Sequence, residues 1–252
     1  MSFMKRAATK VPQAPPMLEN RPLYLQARDA LMRQIAEGTL QPGDFLPSEQ
    51  QLAATLGISV GTVRKATEEL VAQGILDRQH GRGTQIVPHT SDRSRFRFFR
   101  FIHPDGRQAR LTARLLTRKT QNPNREEQLR LSLSKNDQVI VITRARSENG
   151  VPLVFERICI PAKRFERLSV ESDRDMVEEI YVLYQKQCGE MVRSATDEIE
   201  YDLASSSVSK ELKIAAGSPV LLVKRVAVSL ANEPLEFRQS WTQALRYRSH
   251  LE

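Results

Sequence analysis

The chain has 252 residues, of which 40% are hydrophobic and 27% are charged, and its formal net charge at pH 7 is +8. This composition is typical of a folded globular protein that is long enough for two modest domains. No segment approaches the roughly 20 consecutive apolar residues that a membrane-spanning helix requires. The N-terminal residues carry charge but no apolar segment follows them, so they do not resemble a secretory signal. We therefore expect a cytoplasmic protein.

The chain offers little material for a metal site or an enzyme active site. Its two cysteines, Cys159 and Cys188, form no CxxC motif and are predicted to be reduced apolar residues. The histidines show no spacing typical of metal ligands: His80, His89, His103 and His250. No arrangement typical of a nucleophile and its base occurs. We therefore predict no metal, no cofactor and no catalytic residue.

The positive charge is unevenly distributed along the chain. Residues 1–90 contain 10 Lys and Arg against 8 Asp and Glu, residues 91–160 contain 15 against 7, and residues 161–252 contain 13 against 15. A basic excess favours a polyanionic partner. Here the excess lies in residues 91–160 and not at the start of the chain, and it points to an anionic signal bound by the second half of the chain.

The N-terminal quarter begins with a tail and a helix. Residues 1–20 are rich in proline and lack apolar periodicity, which predicts disorder. A helix that ends near Gly38 is predicted next, with these apolar residues on one face: Leu23, Ala27, Ala30, Leu31 and Ile35. The pair Pro42-Gly43 predicts the turn that follows.

Two further helices are predicted on either side of a tight turn. Ser48 is a good N-cap, and Gln51 three residues later completes a capping box. Gly57 stands where a left-handed C-cap is expected, and Ser59 is the N-cap of a helix that runs to about Gln73. Two helices joined in this way form a helix-turn-helix. Their inward residues are predicted to be Leu52, Ala53, Leu56, Val63, Ala66, Leu70 and Val71.

A β-hairpin is predicted to complete this domain. Residues 75–79 and 84–87 are two short β-type segments, and the glycine-rich tip His80-Gly81-Arg82-Gly83 separates them. Such a hairpin beside a helix-turn-helix is a wing. Residues 21–88 are therefore predicted to be a winged helix-turn-helix domain that binds DNA.

The outward residues of the third helix are the expected DNA contacts. A recognition helix presents its N-terminal residues to base edges in the major groove, while basic side chains hold phosphates. Alternatively, Arg64 and Lys65 only form the solvent-exposed face of the helix. We favour contact with DNA, because a basic wing is predicted beside them. His80 and Arg82 are predicted to enter the minor groove, although an exposed turn residue is nearly as good an explanation of His80. The predicted set is Ser48, Gln50, Ser59, Val60, Gly61, Thr62, Arg64, Lys65, His80, Gly81, Arg82, Gly83 and Thr84.

Five motifs of this domain, in their order and spacing, resemble the GntR family of bacterial regulators. They are Pro22-Leu23-Tyr24, Gln41-Pro42-Gly43, Leu46-Pro47-Ser48-Glu49, the run 61–66 and Gly81-Arg82-Gly83-Thr84. The resemblance implies a homodimer on a short palindromic operator, with the recognition helix in the major groove and the wing in the minor groove. Gln50 stands where the family often has Arg, and Val60-Gly61-Thr62 where it often has Arg-Thr-Thr, so the operators of better-known members do not transfer.

The second half of the chain is predicted to be an internally duplicated α+β domain. Residues 138–147 and 151–160 flank the hairpin turn Asn149-Gly150, and residues 219–229 and 234–243 repeat that plan. The segments Pro152-Leu153-Val154-Phe155 and Pro234-Leu235-Glu236-Phe237 correspond, as do Arg144 and Arg225. Helices are predicted at 124–131, 177–188 and 204–212, with Val177, Ile180, Tyr181, Tyr184 and Cys188 on one face of the second.

This half resembles the UTRA effector-binding domain of the GntR subfamily named for the histidine-utilisation repressor. The anchors are Arg144-x-Arg146, Asn149-Gly150-x-Pro152, Glu156 and Pro234-Leu235-Glu236. The resemblance implies a mixed α/β fold like that of chorismate lyase and a small-metabolite effector, with these effector-binding residues: Arg144, Arg146, Glu156, Tyr181 and Glu236. Glu179 stands where sugar-phosphate-responsive members have a phosphate-binding serine, which argues against a phosphosugar. The closing Tyr-Arg-x-Asp-Arg-Tyr run of many members is also altered, to residues 242–247.

Arg144 and Arg146 point to the same face of their predicted strand, because side chains alternate in a strand. Ile140 and Ile142 share that face, so the arginines are predicted to lie at the rim of an apolar layer and to bind a carboxylate or phosphate. Alternatively they face solvent or pair with Glu156. A two-residue hairpin loop would pair Arg144 with Phe155, whereas a three-residue loop with a bulge would pair it with Val154 and bring Glu156 beside the arginines.

The segment between the two domains is open to two interpretations. Residues 89–95 are predicted to be a linker and residues 96–250 the effector domain. Four arginines alternate with phenylalanines here: Arg93, Arg95, Arg97 and Arg100, with Phe96, Phe98, Phe99 and Phe101. The arginines would follow DNA phosphates, or the segment would form the first strand of the effector domain. We favour the strand, because four phenylalanines require a core.

Together these features predict a ligand-responsive, homodimeric, sequence-specific DNA-binding regulator, more specifically a repressor that a small anionic metabolite releases from its operator. Its partners are double-stranded DNA, a second copy of the chain and the effector. Two alternatives are an enzyme of chorismate-lyase-like fold fused to a DNA-binding domain, and a regulator with an all-helical, metal-binding effector domain.

Overall fold

The structure, a computed structural model, describes residues 21–88, 98–170, 175–176 and 179–248. The chain divides into two compact units, Met1–His89 and Thr90–Glu252. Within the described residues, no helix combines the length and apolar character needed to cross a membrane.

The first unit consists of three helices and a two-stranded antiparallel hairpin. They are α1 (Leu23–Ala36), α2 (Glu49–Leu56), α3 (Val60–Ala72), β1 (Leu76–Gln79) and β2 (Gly83–Ile86). The predicted capping box is confirmed: Ser48 Oγ accepts from the Gln51 amide at 3.2 Å, and Gln51 Oε1 accepts from the Ser48 amide at 2.9 Å. Gly57 ends α2 with φ +66°, where a side chain would be strained. Local capping chemistry therefore sets both helix boundaries.

The core of this unit differs from the prediction at two positions. Leu23 is 47% exposed rather than buried, because it opens α1 and the buried positions begin one turn later. Val71 is only half-buried, and Thr67 is buried in its place. Thr67 continues the spacing of Val63 and Leu70 on the inner face of α3, and its hydroxyl is satisfied by donating to the Arg64 carbonyl at 2.9 Å.

Within the described residues, the second unit is built on a seven-stranded antiparallel sheet with three α-helices of seven residues or more. The strand order across the sheet is β7-β4-β5-β6-β10-β9-β8, and β3 and β11 form a separate two-stranded ladder. The strands are β3 (Phe101–Ile102), β4 (Thr112–Gln121), β5 (Val139–Glu148), β6 (Val151–Pro161), β7 (Asp175–Met176), β8 (Val192–Leu203), β9 (Pro219–Ser229), β10 (Pro234–Thr242) and β11 (Arg246–Tyr247). The helices are α4 (Arg125–Leu131), α5 (Ile180–Cys188) and α6 (Ser206–Leu212).

The predicted duplication is visible in the order of the elements. The run β4-α4-β5-β6 is followed by the run β8-α6-β9-β10, and β6 pairs with β10 at the centre of the sheet. The corresponding residues Arg157 and Gln239 lie directly opposite each other, as a pseudo-two-fold axis between the halves requires. Each hairpin also has a register shift at its Pro-Leu pair, at Leu153 in one half and Leu235 in the other. The mixed α+β architecture follows from two copies of one β-α-β-β unit.

The register of the first hairpin differs from both predicted alternatives. Asn149 and Gly150 form a two-residue turn with φ +52° and +79°, and Glu148 pairs with Val151. The register then shifts by one residue between Arg146 and Ser147, so Arg144 lies opposite Glu156. Neither Phe155 nor Val154 is its partner. The bulge, rather than a longer loop, brings the carboxylate to the arginine side of the sheet.

One face of the sheet carries the main core of this unit. Ile140 and Ile142 of β5 are buried together with Ile180 and Tyr184 of α5 and with Phe98. The helix predicted at residues 177–188 is present as α5, and Val177 lies outside the described residues. Since α5 lies over β5 and β6, polar side chains on the same strand face are enclosed as well.

Candidate DNA-binding surface and effector site

The start of α3 presents a small, polar and exposed surface. Ser59 Oγ accepts from the Thr62 amide at 3.1 Å, and the Ser59 and Thr62 hydroxyls lie 2.8 Å apart. A Cβ added to Gly61 would meet only Ser59 Oγ, at 3.8 Å, so packing in this unit does not require glycine there. The absence of a side chain instead leaves the backbone open to a close approach from outside.

Arg64 is exposed but held by a carboxylate. Its side chain is 58% exposed, and both Nε and Nη2 lie 3.0 Å from Glu49 Oε2. The hydrogen bond to Glu49 raises the pKa of Arg64, so it carries a permanent charge. Arg78 of β1 also reaches Glu49, at 3.5 Å. Glu49 and Arg78, which were absent from the predicted set, thus link α2, the recognition helix and the wing.

The other predicted DNA contacts also lie on the first unit, and their side chains are either exposed or half-buried. Lys65 is exposed, and its ammonium lies 4.0 Å from the centre of the Tyr24 ring, which directs it toward α1. The Arg82 guanidinium lies 5.7 Å from the Phe45 ring centre. The exposed members are Ser48, Gln50, Ser59, Gly61, Arg64, Lys65, His80, Gly81, Arg82 and Gly83, and the half-buried members are Val60, Thr62 and Thr84.

In the second unit the predicted rim position is wrong for Arg144, because α5 and Phe98 cover that face, and the alternative of a pair with Glu156 is confirmed for it. Arg144 has no exposed surface, and its Nε pairs with Glu156. Glu156 is approached from the other half by Arg238 at 3.5 Å and by the Ser240 hydroxyl at 3.4 Å. Burial by itself raises the pKa of Glu156, but the charges of Arg144 and Arg238 outweigh it and lower the pKa to about 2.

Glu236 is the second centre of this buried network. It accepts hydrogen bonds from Tyr181 at 3.0 Å and Tyr184 at 2.7 Å, and Arg238 binds both of its oxygens at 2.8 and 2.9 Å. Burial, and after it the charge of Glu236, raises the pKa of both tyrosines, which are therefore neutral donors. Such a fully bonded arrangement is what a buried charge requires.

Each buried arginine of this region has its own carboxylate. Arg225 binds Asp197 through two contacts of 2.7 Å, and the Tyr247 hydroxyl also donates to Asp197. The four pairs are Arg144–Glu156, Arg146–Glu179, Arg225–Asp197 and Arg238–Glu236. Buried charge is therefore balanced within this set, so the basic excess of the sequence does not by itself create a positive pocket.

A recess that is open to solvent lies at one end of this network. Its lining consists of Phe98, Phe99, Arg146, Glu179, Ile180, Tyr181, Arg225 and Arg238. The Arg146 side chain is 2% exposed; its Nη2 binds Glu179 at 2.8 Å and its guanidinium lies 4.6 Å from the Phe99 ring centre. Its Nε is buried without a hydrogen-bond partner among the described residues. Burial lowers the pKa of Arg146, and Glu179 offsets part of that effect.

The structure divides the five predicted effector residues into two groups. Arg146 and Tyr181 line the recess, whereas Arg144, Glu156 and Glu236 lie behind it as support. The lining arginines Arg225 and Arg238 were not in the predicted set. The duplication contains the signal for them, because they occupy the positions that correspond to Arg144 and Glu156.

Only part of the arginine–phenylalanine segment can be compared with its prediction. Arg93, Arg95, Phe96 and Arg97 lie outside the described residues. Phe98 is buried and helical, and β3 begins only at Phe101, so a strand through Phe98 is wrong. The described phenylalanines belong to the core and recess of the second unit, since Phe98 stands edge-on to Tyr181 with ring centres 5.0 Å apart.

A winged helix-turn-helix unit and a mixed α/β unit with an enclosed charged recess define a ligand-binding transcriptional regulator. Comparison with known families is specific: residues 23–86 match the model of bacterial regulatory proteins of the gntR family, and residues 106–248 match the UTRA domain. The chain belongs to the GntR family and carries a UTRA domain, as in the subfamily of the histidine utilization repressor. It is a regulator and not an enzyme. The seven-stranded antiparallel sheet excludes the all-helical effector domain.

The similarity to curated relatives extends over most of the chain. The transcriptional repressor NagR of Bacillus subtilis is 30% identical, over 90% of this chain and 92% of its own. The fructoselysine utilization operon repressor of Escherichia coli is 25% identical over 89% and 91%, and the histidine utilization repressor of Pseudomonas putida 27% over 81% and 81%. The ligand-binding domain of a GntR-family regulator from Bordetella bronchiseptica aligns with a TM-score of 0.56 and 24% identity, covering 62% of this chain and 98% of that one.

Proposed function

We propose that this chain is a homodimeric repressor that binds a palindromic operator and leaves it when a small anionic metabolite enters the recess beside Arg146. In this proposal residues 21–88 bind DNA, residues 89–95 are a linker and residues 96–250 bind the effector. Binding of the effector changes the separation of the two recognition helices so that they no longer fit both half-sites. A repressor of bacterial genes acts in the cytoplasm.

DNA contact is proposed for the residues at the start of α3 and on the wing. Arg64 is the proposed base-reading residue, since its guanidinium is exposed at the N-terminal part of the recognition helix. Gly61 allows a close approach of the backbone, and Ser59 and Thr62 offer hydroxyls to a phosphate. Arg82 at the exposed wing tip is proposed for the minor groove.

The observation that carries the effector proposal is the buried edge of Arg146. A guanidinium presents Nε and an Nη nitrogen as a fork for one carboxylate or phosphate. In the recess Nη2 is bound to Glu179, while Nε has no hydrogen-bond partner among the described residues. Two of the relatives are named for the utilisation of histidine and fructoselysine, compounds that both carry a carboxylate. A carboxylate-bearing metabolite fits this site best.

The homodimer is proposed to form along β8, which is an outer strand of the sheet. Ile199, Tyr201 and Leu203 alternate along it and are all exposed, so large apolar side chains share one side of an unpaired edge. An exposed apolar edge strand is a ready template for a second strand. A second copy of the chain would cover both edges at once by two-fold symmetry.

The effector proposal is tested by operator release. Genomic fragments bound by the protein are selected, and the complex is titrated with carboxylates that include L-histidine and fructoselysine. At least one carboxylate should weaken operator binding of the wild type, and Arg146→Ala should bind the operator normally but no longer respond. The control Arg110→Ala, an exposed arginine of the same unit, should respond like the wild type. A normal response of Arg146→Ala would refute the site.

The dimer proposal is tested by sedimentation. Tyr201→Lys places a charge in the middle of the apolar stripe on β8 and should convert dimer to monomer at micromolar concentration. Val151→Lys changes another exposed apolar residue, at the hairpin turn, and should leave the dimer intact. If Tyr201→Lys sediments like the wild type, β8 is not the interface.

A further inference from the structure

The first turn of α5 is unusual in what its N-cap side chain does. Glu179 is the N-cap residue, yet its carboxylate does not accept a hydrogen bond from the helix that it begins. It turns instead to Arg146 Nη2, 2.8 Å away. A helix N-terminus and an arginine both favour a negative group at this position. The carboxylate of Glu179 therefore stands where an external anion would be most strongly attracted.

Among the four arginine–carboxylate pairs, this one has the most exposed carboxylate. Glu236 and Asp197 each bind their arginine through two contacts and accept tyrosine hydroxyls as well. Glu156 is buried between three polar partners. Glu179 binds Arg146 through one oxygen, and 13% of its side chain is exposed. Of the lining residues that the structure describes, it is also the one carboxylate, against three arginines.

The bond leaves the arginine incompletely satisfied. Arg146 Nε lies buried in the same recess, so Glu179 occupies only part of the fork that a carboxylate or phosphate fills through two hydrogen bonds. A ligand anion that reached both nitrogens would replace one charge-assisted hydrogen bond with two. The displaced Glu179 side chain can move toward solvent, because 13% of it is already exposed.

We propose that Glu179 is an internal competitor for the effector's anionic group, so that effector binding exchanges the carboxylate of Glu179 on Arg146 for a carboxylate or phosphate of the ligand. This rests on the proposed function, because it assumes that the recess is the effector site. It commits to the ligand class, a compact anion, and to a regulatory consequence. The competition weakens effector binding, and displacement breaks the link between Arg146 of β5 and the N-cap residue of α5, the helix that carries Tyr181 and Tyr184 against Glu236.

The test measures anion affinity of the full chain by calorimetry, with D-glycerate and inorganic phosphate as the probes. Glu179→Gln keeps the shape of the side chain and removes the competing charge, and it should bind both probes about tenfold more tightly than the wild type. Glu190→Gln is the matched control, because Glu190 pairs with Arg164 just after the other end of α5 and does not line the recess. It should bind as the wild type does.

A second measurement guards against misfolding of the variant. Loss of the Glu179 charge leaves Arg146 uncompensated, so Glu179→Gln should melt at a lower temperature than the wild type in anion-poor buffer. Added phosphate should restore its melting temperature and should raise that of the wild type far less. Absence of this rescue, or absence of probe binding by both proteins, would overturn the proposal.

The sign of the affinity change shows whether the anion displaces Glu179 from Arg146 or not. Weaker or unchanged binding of both probes by Glu179→Gln would show that Glu179 is not displaced, and would overturn the inference. Operator release is a separate readout: tighter anion binding without any metabolite-dependent release would support the competition and contradict the proposed function. Operator release by a carboxylate that Glu179→Gln binds more weakly than the wild type would support the proposed function and contradict the competition.

Discussion

In the first unit the proposed DNA-contacting arginine leaves 58% of its side chain exposed, whereas in the second unit Arg144 leaves none. The exposed Arg64 forms an ion pair with Glu49, which competes with solvent and with any nucleic acid. The buried Arg144 belongs to a network in which each arginine has a carboxylate. The same residue type is therefore available for the proposed recognition of DNA at a surface, whereas in the interior it belongs to a network of buried ion pairs.

This difference teaches which residues can be changed without loss of the fold. A surface ion pair contributes little to stability, because water screens it, while removing one partner of a buried pair leaves an uncompensated charge. Substitutions in the first unit should therefore act on binding. Substitutions behind the recess should act on folding before they act on effector response.

The largest effect is expected from Arg144→Ala. It leaves Glu156 buried without its main partner, which should destabilise the second unit by about 3–5 kcal/mol. Trp241, the only tryptophan, packs against Phe155 in that unit, so its fluorescence during urea unfolding follows the change. The exposed Arg110→Ala should cost little. A loss of less than about 1 kcal/mol for Arg144→Ala would mean that the network is not structural.

Acid should break the same network. The pKa of Glu156 is lowered from 4.5 to about 2, so its contribution to stability is complete above pH 4.5 and is lost as the pH falls toward 2. That shift corresponds to about 3 kcal/mol. The variant Glu156→Gln should lack this part of the pH dependence, measured as Trp241-detected unfolding between about pH 5 and 2. Parallel pH profiles for variant and wild type would contradict the assignment.

A smaller effect, on binding rather than stability, is expected in the first unit. Arg64→Ala should weaken operator binding by roughly 10- to 100-fold, or about 1–3 kcal/mol, and relax base preference at one position of each half-site. Lys65→Ala should weaken binding to all sequences alike. The exposed Arg33→Ala on α1 serves as the control, and operator affinity is measured at fixed salt. An unchanged base preference in Arg64→Ala would remove Arg64 as a base-reading residue.

The smallest effect concerns the cap that positions the DNA-binding helices. Ser48→Ala removes the hydroxyl that accepts from the Gln51 amide and should destabilise α2 by about 1 kcal/mol, whereas Ser48→Gly should cost only a few tenths. Hydrogen exchange of amides in Glu49–Leu56 reports the difference. Equal protection in both variants would show that the side-chain cap does not stabilise α2.

For the first unit the sequence alone was enough, because its elements depend on local chemistry. Ser48, Gln51, Gly57 and Ser59 act on backbone groups within a few residues, and each stands where the structure places a cap or helix end. The family motifs likewise lie in one continuous stretch. The contact of Glu49 with Arg64 was not predicted, because it depends on which side chains of α2 and α3 meet across the turn.

For the second unit the sequence determined the strands, the duplication and the residue types of the site, but not which arginine faces the recess. A bulge at Leu153 moved Glu156 opposite Arg144, and a one-residue shift of register cannot be predicted from alternation alone. Burial was decided by α5 and Phe98, which lie far from Arg144 in the chain. Arg146, Arg225, Arg238 and Glu179 meet only because the two halves pair through β6 and β10. The sequence determined the chemistry available, and long-range packing decided which charges are paired and which edge of Arg146 stays open.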